Sequence, residues 1–526
     1  MRGLIFENKK FIGITLLLVI MSSITATIVP VLIQFFSKQT DKLDVKLFVF
    51  AITAMIVSFV IQFFLLIYRQ NYASKFNTQH LSSLIKKMYQ LKYDQYNKFE
   101  PTYLINRIFA AVDTLYIFLI TSFESLVQAS FLILVSLILS FSIHWSIATI
   151  LFLLIPINLF GFRFINTRLK TKMEELQFMG AAANKDLVVT LSNVDHIKQI
   201  PQYSDLEKAI VPKIENLYKI LSNTNKFAQG SSSIIDFVNQ IIQNVLYISV
   251  AYCIIQGWLP ISSMIMIGII FPLFFNSLKK LTEVNINLKA LETSNDFIKK
   301  DLDDHSETDG SIEIEKIEKI TLRNPAFQIE NFQFRLLVDS TLLKGQIVYI
   351  QGDSGSGKSS LLKLLVKFRE SSGIEINEIP IHLVSNCSLR SKIAYLSQNT
   401  TILSRTIEEN IGFGRDLTER EKQIVEESGI LDPIFKTKQW STLLTENGAN
   451  LSGGEKQRIA IARMLIKEAD VYIFDESTSS IDQVSANALF QSLIKLSTGK
   501  IMIYTSHDIV FKTYATHTIP IETVKE

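Results

Sequence analysis

The chain has 526 residues, of which 48% are hydrophobic and only 20% charged, with 36 Phe and a formal net charge of +3. At about 150 residues per domain this length suggests three or four globular units, yet long apolar runs with few charges recur through the first 282 residues and most of the charge lies elsewhere. These proportions exclude intrinsic disorder, a coiled coil and a protein held to nucleic acid by net charge, so no nucleic-acid partner is expected.

A bilayer core about 30 Å thick needs roughly 20 apolar residues in helix. Six such runs follow one another, at about 11–36, 46–68, 115–141, 143–164, 234–256 and 260–282. The first lies behind Lys9 and Lys10, is longer than the apolar core of a signal peptide and has no small-residue cleavage site, so it reads as a retained span. It starts near Phe11, so no protease domain is expected ahead of it and a leader-peptide cargo would not be trimmed here. Lys and Arg gather in 69–114 and 165–233, whereas the turns near 142–144 and 256–260 carry neither. The positive-inside rule then puts both termini and both long loops in the cytoplasm. Helical apolar spacing in those loops, as at Leu81, Leu84, Ile85 and Met88, predicts that the membrane helices continue beyond the bilayer as hairpins.

Polar residues interrupt the spans at Gln62, at Glu124 with Gln128 one turn along, and at Asp236, Asn239 and Gln243. Two readings stay open: a polar cavity that holds cargo, for which Gln62, Glu124, Gln128, Asn239 and Gln243 are the candidates, or hydrogen bonds between helices. The two cysteines, Cys253 and Cys387, give neither a disulfide framework nor a metal-ligand spacing. The acidic stretch 301–311 has no apolar periodicity and reads as a linker, dividing a membrane domain at 1–300 from a soluble domain at 312–526.

The soluble half opens with an apolar strand pattern, 346–350, followed by Gly352, Asp353, Ser354, Gly355, Ser356, Gly357, Lys358, Ser359 and Ser360, and then by leucines at helical spacing. Strand, glycine-rich loop and helix is the context a phosphate-binding loop requires. Glycines let backbone N–H groups turn to the phosphates, Lys358 is placed to reach the β- and γ-phosphates, and the Ser359 hydroxyl is placed to ligate Mg²⁺. A second apolar strand, 471–474, ends in Asp475 and Glu476. A buried strand that ends in acid needs a cation nearby, which makes Asp475 the metal-side carboxylate and Glu476 the candidate general base. A third strand, 501–506, leads to His507, at a position suited to the γ-phosphate and the attacking water. The segment Leu451-Ser452-Gly453-Gly454-Glu455 opens another helix with Ser452 as N-cap, a second helix start with exposed backbone donors.

With these motifs in this order, the chain resembles an ATP-binding cassette exporter of the half-transporter type. The resemblance rests on the loop at 352–359, Gln398 in the stretch Ala394-Tyr395-Leu396-Ser397-Gln398, the signature at 451–455, the Asp475-Glu476 strand, Ser479-Ser480-Ile481-Asp482 and His507. It implies an all-α membrane domain of six helices with long cytoplasmic extensions, fused to an α/β P-loop ATPase domain. ATP and Mg²⁺ are the implied cofactors, with Gln398 joining Ser359 and Asp475 on the metal side and Phe327 as the aromatic that stacks on adenine. Two chains are implied to pair head to tail, with a homodimer as the first reading and a heterodimer with another half-transporter as the alternative. Each ATP would then also meet Ser452, Gly453, Gly454 and Glu455 of the other subunit. The signature ends in Glu455 where the family usually has Gln. Leu104-Ile105-Asn106-Arg107-Ile108 through Asp113, and Ile197-Lys198, look like the family's two cytoplasmic coupling regions. The expected function is ATP-driven export of a peptide or other amphipathic molecule across a bacterial plasma membrane. A lipid or drug flippase with the same engine is the first alternative, and an ATP-gated sensor or channel the second.

Overall fold

The computed structural model describes residues 9–38, 45–192, 194–398, 400–476, 483–506 and 508–525, and the side chains among them except at 26, 29–38, 45–48, 194–196, 483–485, 488, 489, 496 and 509. It divides into two compact units, Met1–Leu91 with Gln95–Ser306, and Lys92–Asp94 with Glu307–Glu526.

The first unit is helical. Its long elements are α1 (Lys9–Lys38), α2 (Val45–Tyr89), α3 (Pro101–Ile117), α4 (Phe123–Ile143), α5 (Trp145–Ser192), α6 (Tyr203–Ile255) and α7 (Ser262–Phe297). Among the described residues, Val49–Tyr89, Pro101–Ile143, Trp145–Ser192, Tyr203–Ile255 and Ser262–His305 are long and apolar enough to cross a membrane. The first run of the sequence is helical from Lys9 to Lys38. The 53 residues of α6 extend about 80 Å at 1.5 Å per residue, far more than a bilayer needs. Such lengths agree with the hairpin extensions expected from the loops.

Burial in this unit reverses the soluble pattern. Phe59, Phe63, Phe64, Phe141, Phe152, Phe160 and Phe164 are all exposed, while the inner cluster of α4, α5, α6 and α7 is built from Ile133, Leu151, Leu246, Ile270, Phe271 and Phe274. Lipid is as apolar as leucine, so packing and hydrogen bonds hold such helices together rather than exclusion of water. Asn158 on α5 and Asn239 on α6 supply one such bond pair. Each amide donates to the other's carbonyl oxygen, at 3.1 and 2.9 Å, and both residues are buried. Asn239 was a cavity candidate, and the structure corrects this: its amide is spent on Asn158, between helices. Gln128 likewise accepts from Lys280 Nζ at 2.8 Å, Gln62 is exposed, and Gln243 lies one turn beyond Asn239, half-buried.

The second unit is α/β. Its strands are β1 (Lys319–Ile329), β2 (Phe332–Leu337), β3 (Asp339–Leu343), β4 (Ile347–Gln351), β5 (Ser371–Ile376), β6 (Ile379–Pro380), β7 (Ile393–Leu396), β8 (Val471–Asp475), β9 (Ile501–Thr505), β10 (His517–Pro520) and β11 (Glu522–Lys525). One sheet runs in the order β10-β4-β9-β8-β7, parallel throughout. The other runs in the order β11-β2-β1-β5-β6 and pairs β3 with β1, all antiparallel. Strands β8 and β9 are buried at every position, the continuous apolar pattern of parallel strands covered on both faces.

The stretch 301–311, expected as a linker, is ordered. Residues 298–302 form a π-helical turn and 303–305 a 3-10 turn in the first unit. In the second, Glu307 makes a bidentate pair with Arg390 at 2.8 and 3.0 Å, and Asp309 accepts from the Asn386 N–H at 2.7 Å. The acidic residues that looked like solvated spacers have partners far away in sequence. The second unit also holds Lys92–Asp94, where the Tyr93 ring stacks on Phe368 at 5.4 Å and Asp94 accepts three bonds from Arg369 Nε and Nη2 at 2.7–3.0 Å. These residues come ahead of the region 104–113 that resembled a coupling segment.

The amide pair predicts a strong coupling. Asn158→Leu or Asn239→Leu alone leaves a buried amide without its partner and costs about 1–2 kcal/mol, whereas the double substitution costs less than the sum. Thermal unfolding of the four proteins in detergent gives the coupling energy.

Candidate functional site

The carboxyl ends of adjacent parallel strands are where an open α/β sheet leaves a crevice for ligands. Four such ends meet here. β4 runs into the glycine-rich loop, β8 ends at Asp475, β9 at Thr505, and β7 leads through Ser397 to Gln398.

Beyond β4, the loop turns on Gly355 (φ +85°) and Gly357 (φ +97°), where side chains are strained, and α8 (Lys358–Leu365) starts at once. A Cβ at Gly357 would run into Thr523 Oγ1 and Leu336, so only glycine fits between the loop and the β2–β11 pair. The loop is braced from that side: Thr523 Oγ1 donates to the Ser356 carbonyl at 2.7 Å. Asp353, Ser354 and Gly355 are exposed at the tip, and Ser359 and Ser360 follow Lys358 in the first turn of the helix. Lys358 is buried and its ammonium donates to the carbonyls of Gly352 and Asp353 at 2.7 and 2.8 Å, lying along the inside of the loop. Ser356 Oγ is buried without a hydrogen-bond partner. A cradle with a lysine inside it and an unused hydroxyl fits a polyphosphate chain.

On the metal side, Ser359 Oγ donates to Asp475 Oδ1 at 3.0 Å. A hydroxyl and a buried carboxylate converging from α8 and β8 are hard oxygen donors, suited to Mg²⁺ that keeps water and phosphate oxygens as its other ligands. Among the described residues no group of three or more His, Cys, Asp and Glu could hold a metal by itself. Gln398 is exposed and its amide donates to Glu476 Oε2 at 2.8 Å, so the expected metal-side glutamine and the expected base lie side by side. His507 and the stretch 479–482 lie outside the described residues.

Two residues that the sequence did not single out hold this carboxylate pair. Thr505 faces Asp475 in the β8–β9 register and is buried. Its hydroxyl donates to Asp475 Oδ1 at 3.0 Å and accepts from the Glu476 N–H at 3.1 Å. Glu476 itself has φ +51°, a left-handed conformation that costs a non-glycine residue about 1 kcal/mol or more. The Thr505 bond helps hold that turn. Tyr395 reaches Asp475 Oδ2 from the other side at 3.4 Å; burial, and then the Asp475 charge, push its phenol well above the usual range, so it stays a donor. Only the register of neighbouring strands makes Thr505 visible.

Phe327 requires a correction. Its ring is 5% exposed in the core of the antiparallel sheet, stacked on Phe334 at 5.6 Å, and has no free face for a base. Phe334 is half-buried at the margin of that core and shares a face of β2 with Leu336, which packs at Gly357. Of this aromatic pair, Phe334 is the ring with accessible surface.

The second helix start, α9 (Gly453–Leu465), carries a full capping box. Ser452 Oγ accepts from the Glu455 N–H at 3.2 Å, and Glu455 Oε2 accepts from the Ser452 N–H at 2.7 Å. Lys438 Nζ sits 2.8 Å from Glu455 Oε1. Burial alone would raise the Glu455 carboxyl, but Lys438 and the bonds with Ser452 outweigh it and leave it below its ordinary value. A carboxylate depressed in the folded state stabilises at neutral pH, and that contribution fades as pH falls through its folded value. Ser452 and Gly453 are exposed, which leaves the capped helix start open to a ligand from outside the chain.

Residues 337–479 match the family model described as ABC transporter, and residues 11–278 match that of the ABC transporter transmembrane region. A putative export ATP-binding/permease protein of Rickettsia bellii is 27% identical over 548 residues, covering 96% of this chain and 91% of that protein. A probable ABC transporter ATP-binding/permease protein of Haemophilus influenzae is 37% identical over 206 residues, where the match spans 38% of this chain and 37% of that protein's length. ATP-dependent lipid A-core flippase 2 of Colwellia psychrerythraea is 29% identical over 384 residues, covering 69% of this chain and 64% of the flippase. The solved structure of a bacterial Atm1-family ABC exporter with ATP bound superposes with a TM-score of 0.80 at 17% identity, over 99% of this chain and 94% of that one. At that identity the likeness establishes the fold.

The Thr505 geometry predicts a specific defect. Thr505→Val removes both bonds at a cost of about 1–3 kcal/mol to the carboxylate pair, so the ATP turnover rate falls roughly ten- to a hundredfold with the KM for ATP changed far less. Thr505→Ser restores the rate. Steady-state kinetics of the three proteins check this, and a Val variant at normal rate removes the positioning role.

Proposed function

The chain belongs to the ABC transporter family, and on that premise we propose that it is an ATP-driven exporter of amphipathic molecules that works as a dimer of two such chains. The observation that carries the reading is the convergence of loop, metal-side carboxylate and base at four neighbouring strand ends: Lys358, Ser359 with Asp475, and Glu476 with Gln398. In this reading the loop N–H groups and Lys358 bind the phosphates of ATP, and Phe334 rather than Phe327 offers a ring to the adenine. Ser359 and Asp475 hold Mg²⁺, which when bound neutralises charge on the phosphate oxygens. Gln398 and the Thr505-supported backbone orient the Glu476 carboxylate, which takes a proton from the attacking water. His507 is assigned the γ-phosphate side of that water.

The exposed start of α9 serves the partner's nucleotide. Ser452, Gly453, Gly454 and Glu455 of one chain then close the ATP held by the other, and a homodimer has two complete sites. The positive charge of 69–114 and 165–233 supports cytoplasmic termini, and a bacterial plasma membrane is the assigned location. Binding of ATP draws the cassettes together, the long helices carry that motion to the spans, and hydrolysis resets them.

For cargo, a peptide stays within this reading. The named function of the Colwellia relative, a lipid A-core flippase, favours a second and narrower one in which the amphipathic molecule is a lipid. Purified protein in proteoliposomes tests the engine. Glu476→Gln is expected to cut ATP hydrolysis by about 10²–10⁴-fold while leaving ATP binding measurable. Cargo movement is expected to stop with it. Movement that is independent of ATP, or undiminished in Glu476→Gln, overturns the exporter reading.

A further inference from the structure

Between α3 and α4 the helix widens into a π-helical turn, Phe118–Ser122. Such insertions displace carbonyls from the regular ladder and often accompany functional sites. Here the Ile120 carbonyl accepts from Arg69 Nη1 at 2.6 Å, and the same buried guanidinium is paired with Glu124. Gln70 Oε1 accepts from the Tyr116 hydroxyl at 2.5 Å. Arg69, Gln70, Thr121, Glu124 and Ser125, with Leu66 as an apolar wall, line a cavity of about 320 Å³, at the small end of the range for ligand sites.

The place of this cavity along the spans matters. Arg69 is the first charge after the uncharged stretch 47–68, and Glu124 is the tenth residue of the run 115–141. On the topology proposed above, on which this inference rests, Arg69 stands at the inner end of its span and holds Glu124 beside it from within the next one. From the cavity an apolar stripe leads along α2 through Leu66, Phe63 and Phe59, spaced as one helix face and half-exposed or more. Phe63 and Phe59 stack at 6.4 Å. A charged recess at the inner end of a span with an apolar track beside it has the shape of an amphiphile.

The charges select which amphiphile. An anionic headgroup that takes Arg69 strands Glu124, and a cationic one that takes Glu124 strands Arg69; either leaves a charge unpaired at low dielectric. A zwitterion replaces one ion pair by two, with its phosphate on Arg69 and its ammonium on Glu124. The hydroxyls of Thr121 and Ser125 complete the donors. We propose that this cavity recognises the zwitterionic headgroup of a membrane phospholipid, with an acyl chain along Leu66, Phe63 and Phe59.

The test uses the full chain in nanodiscs with photoactivatable phosphatidylethanolamine and phosphatidylglycerol that share their acyl chains. Mass spectrometry of the cross-linked peptides reads the site. The ethanolamine lipid should label the peptide containing residues 59–69 about tenfold more than the glycerol lipid, the ratio expected from one charge-assisted hydrogen bond of about 1.5–3 kcal/mol at its lower end. Ser125→Phe fills the recess without touching the ion pair and should bring the ethanolamine lipid down to the glycerol level, with glycerol labelling serving as the fold control. Equal labelling in the wild-type protein overturns the proposal, as does an ethanolamine preference that survives Ser125→Phe. Displacement by a zwitterionic tripeptide without an acyl chain overturns the lipid assignment. ATP hydrolysis is measured on the same samples. Hydrolysis without lipid preference overturns this inference alone, and preference without hydrolysis supports it while overturning the exporter reading.

Discussion

A buried carboxylate must be satisfied, and in this protein the need to satisfy Asp475 organises the nucleotide half. It lies at the end of a strand buried at every position, where an unpaired charge would cost several kcal/mol. Ser359 arrives from the phosphate-loop helix, Thr505 from the adjacent strand and Tyr395 from the strand on the other side. Each approach depends on the parallel register of β7, β8 and β9. One carboxylate therefore ties the loop, the metal side and the backbone of Glu476 into a single network. Moving any strand by one residue would turn its partner to the opposite face of the sheet.

The sequence was most legible where chemistry forces particular residue types into a short stretch. Gly355 and Gly357 are needed for positive φ, Lys358 and Ser359 follow without a gap, and two acids end an otherwise apolar strand. Residues whose role comes from distant neighbours were not legible. Thr505 looks like an ordinary strand residue until β9 is laid beside β8. Asn239 looked like part of a cavity until α5 brought Asn158 opposite it, and Phe327 looked available until Phe334 covered it. The stretch 301–311 read as a spacer because its partners, Arg390 and the Asn386 amide, come some eighty residues later. Local pattern reports which residue types are present; long-range pairing decides which of them are free.

Glu455 illustrates how a departure from a family's habit can be physically neutral. A glutamine at that position could still cap the helix start with Ser452. The carboxylate does so while also taking an ion pair from Lys438, so the substitution adds a tether without changing the exposed face of Ser452 and Gly453. The acid stabilises its own helix start while Ser452 and Gly453 stay exposed.

The brace on the phosphate loop carries a consequence for how the protein is made. Thr523 holds the Ser356 carbonyl from 167 residues downstream, and the Ile521 N–H bonds the carbonyl of Gln351 at 2.9 Å, just before the loop. During synthesis the glycine-rich loop leaves the ribosome long before the strand that shapes it. The loop then waits, with its motif complete and its cradle unset, until β11 emerges and pairs with β2. The shape of the cradle therefore depends on the last strand of the cassette as well as on the motif itself.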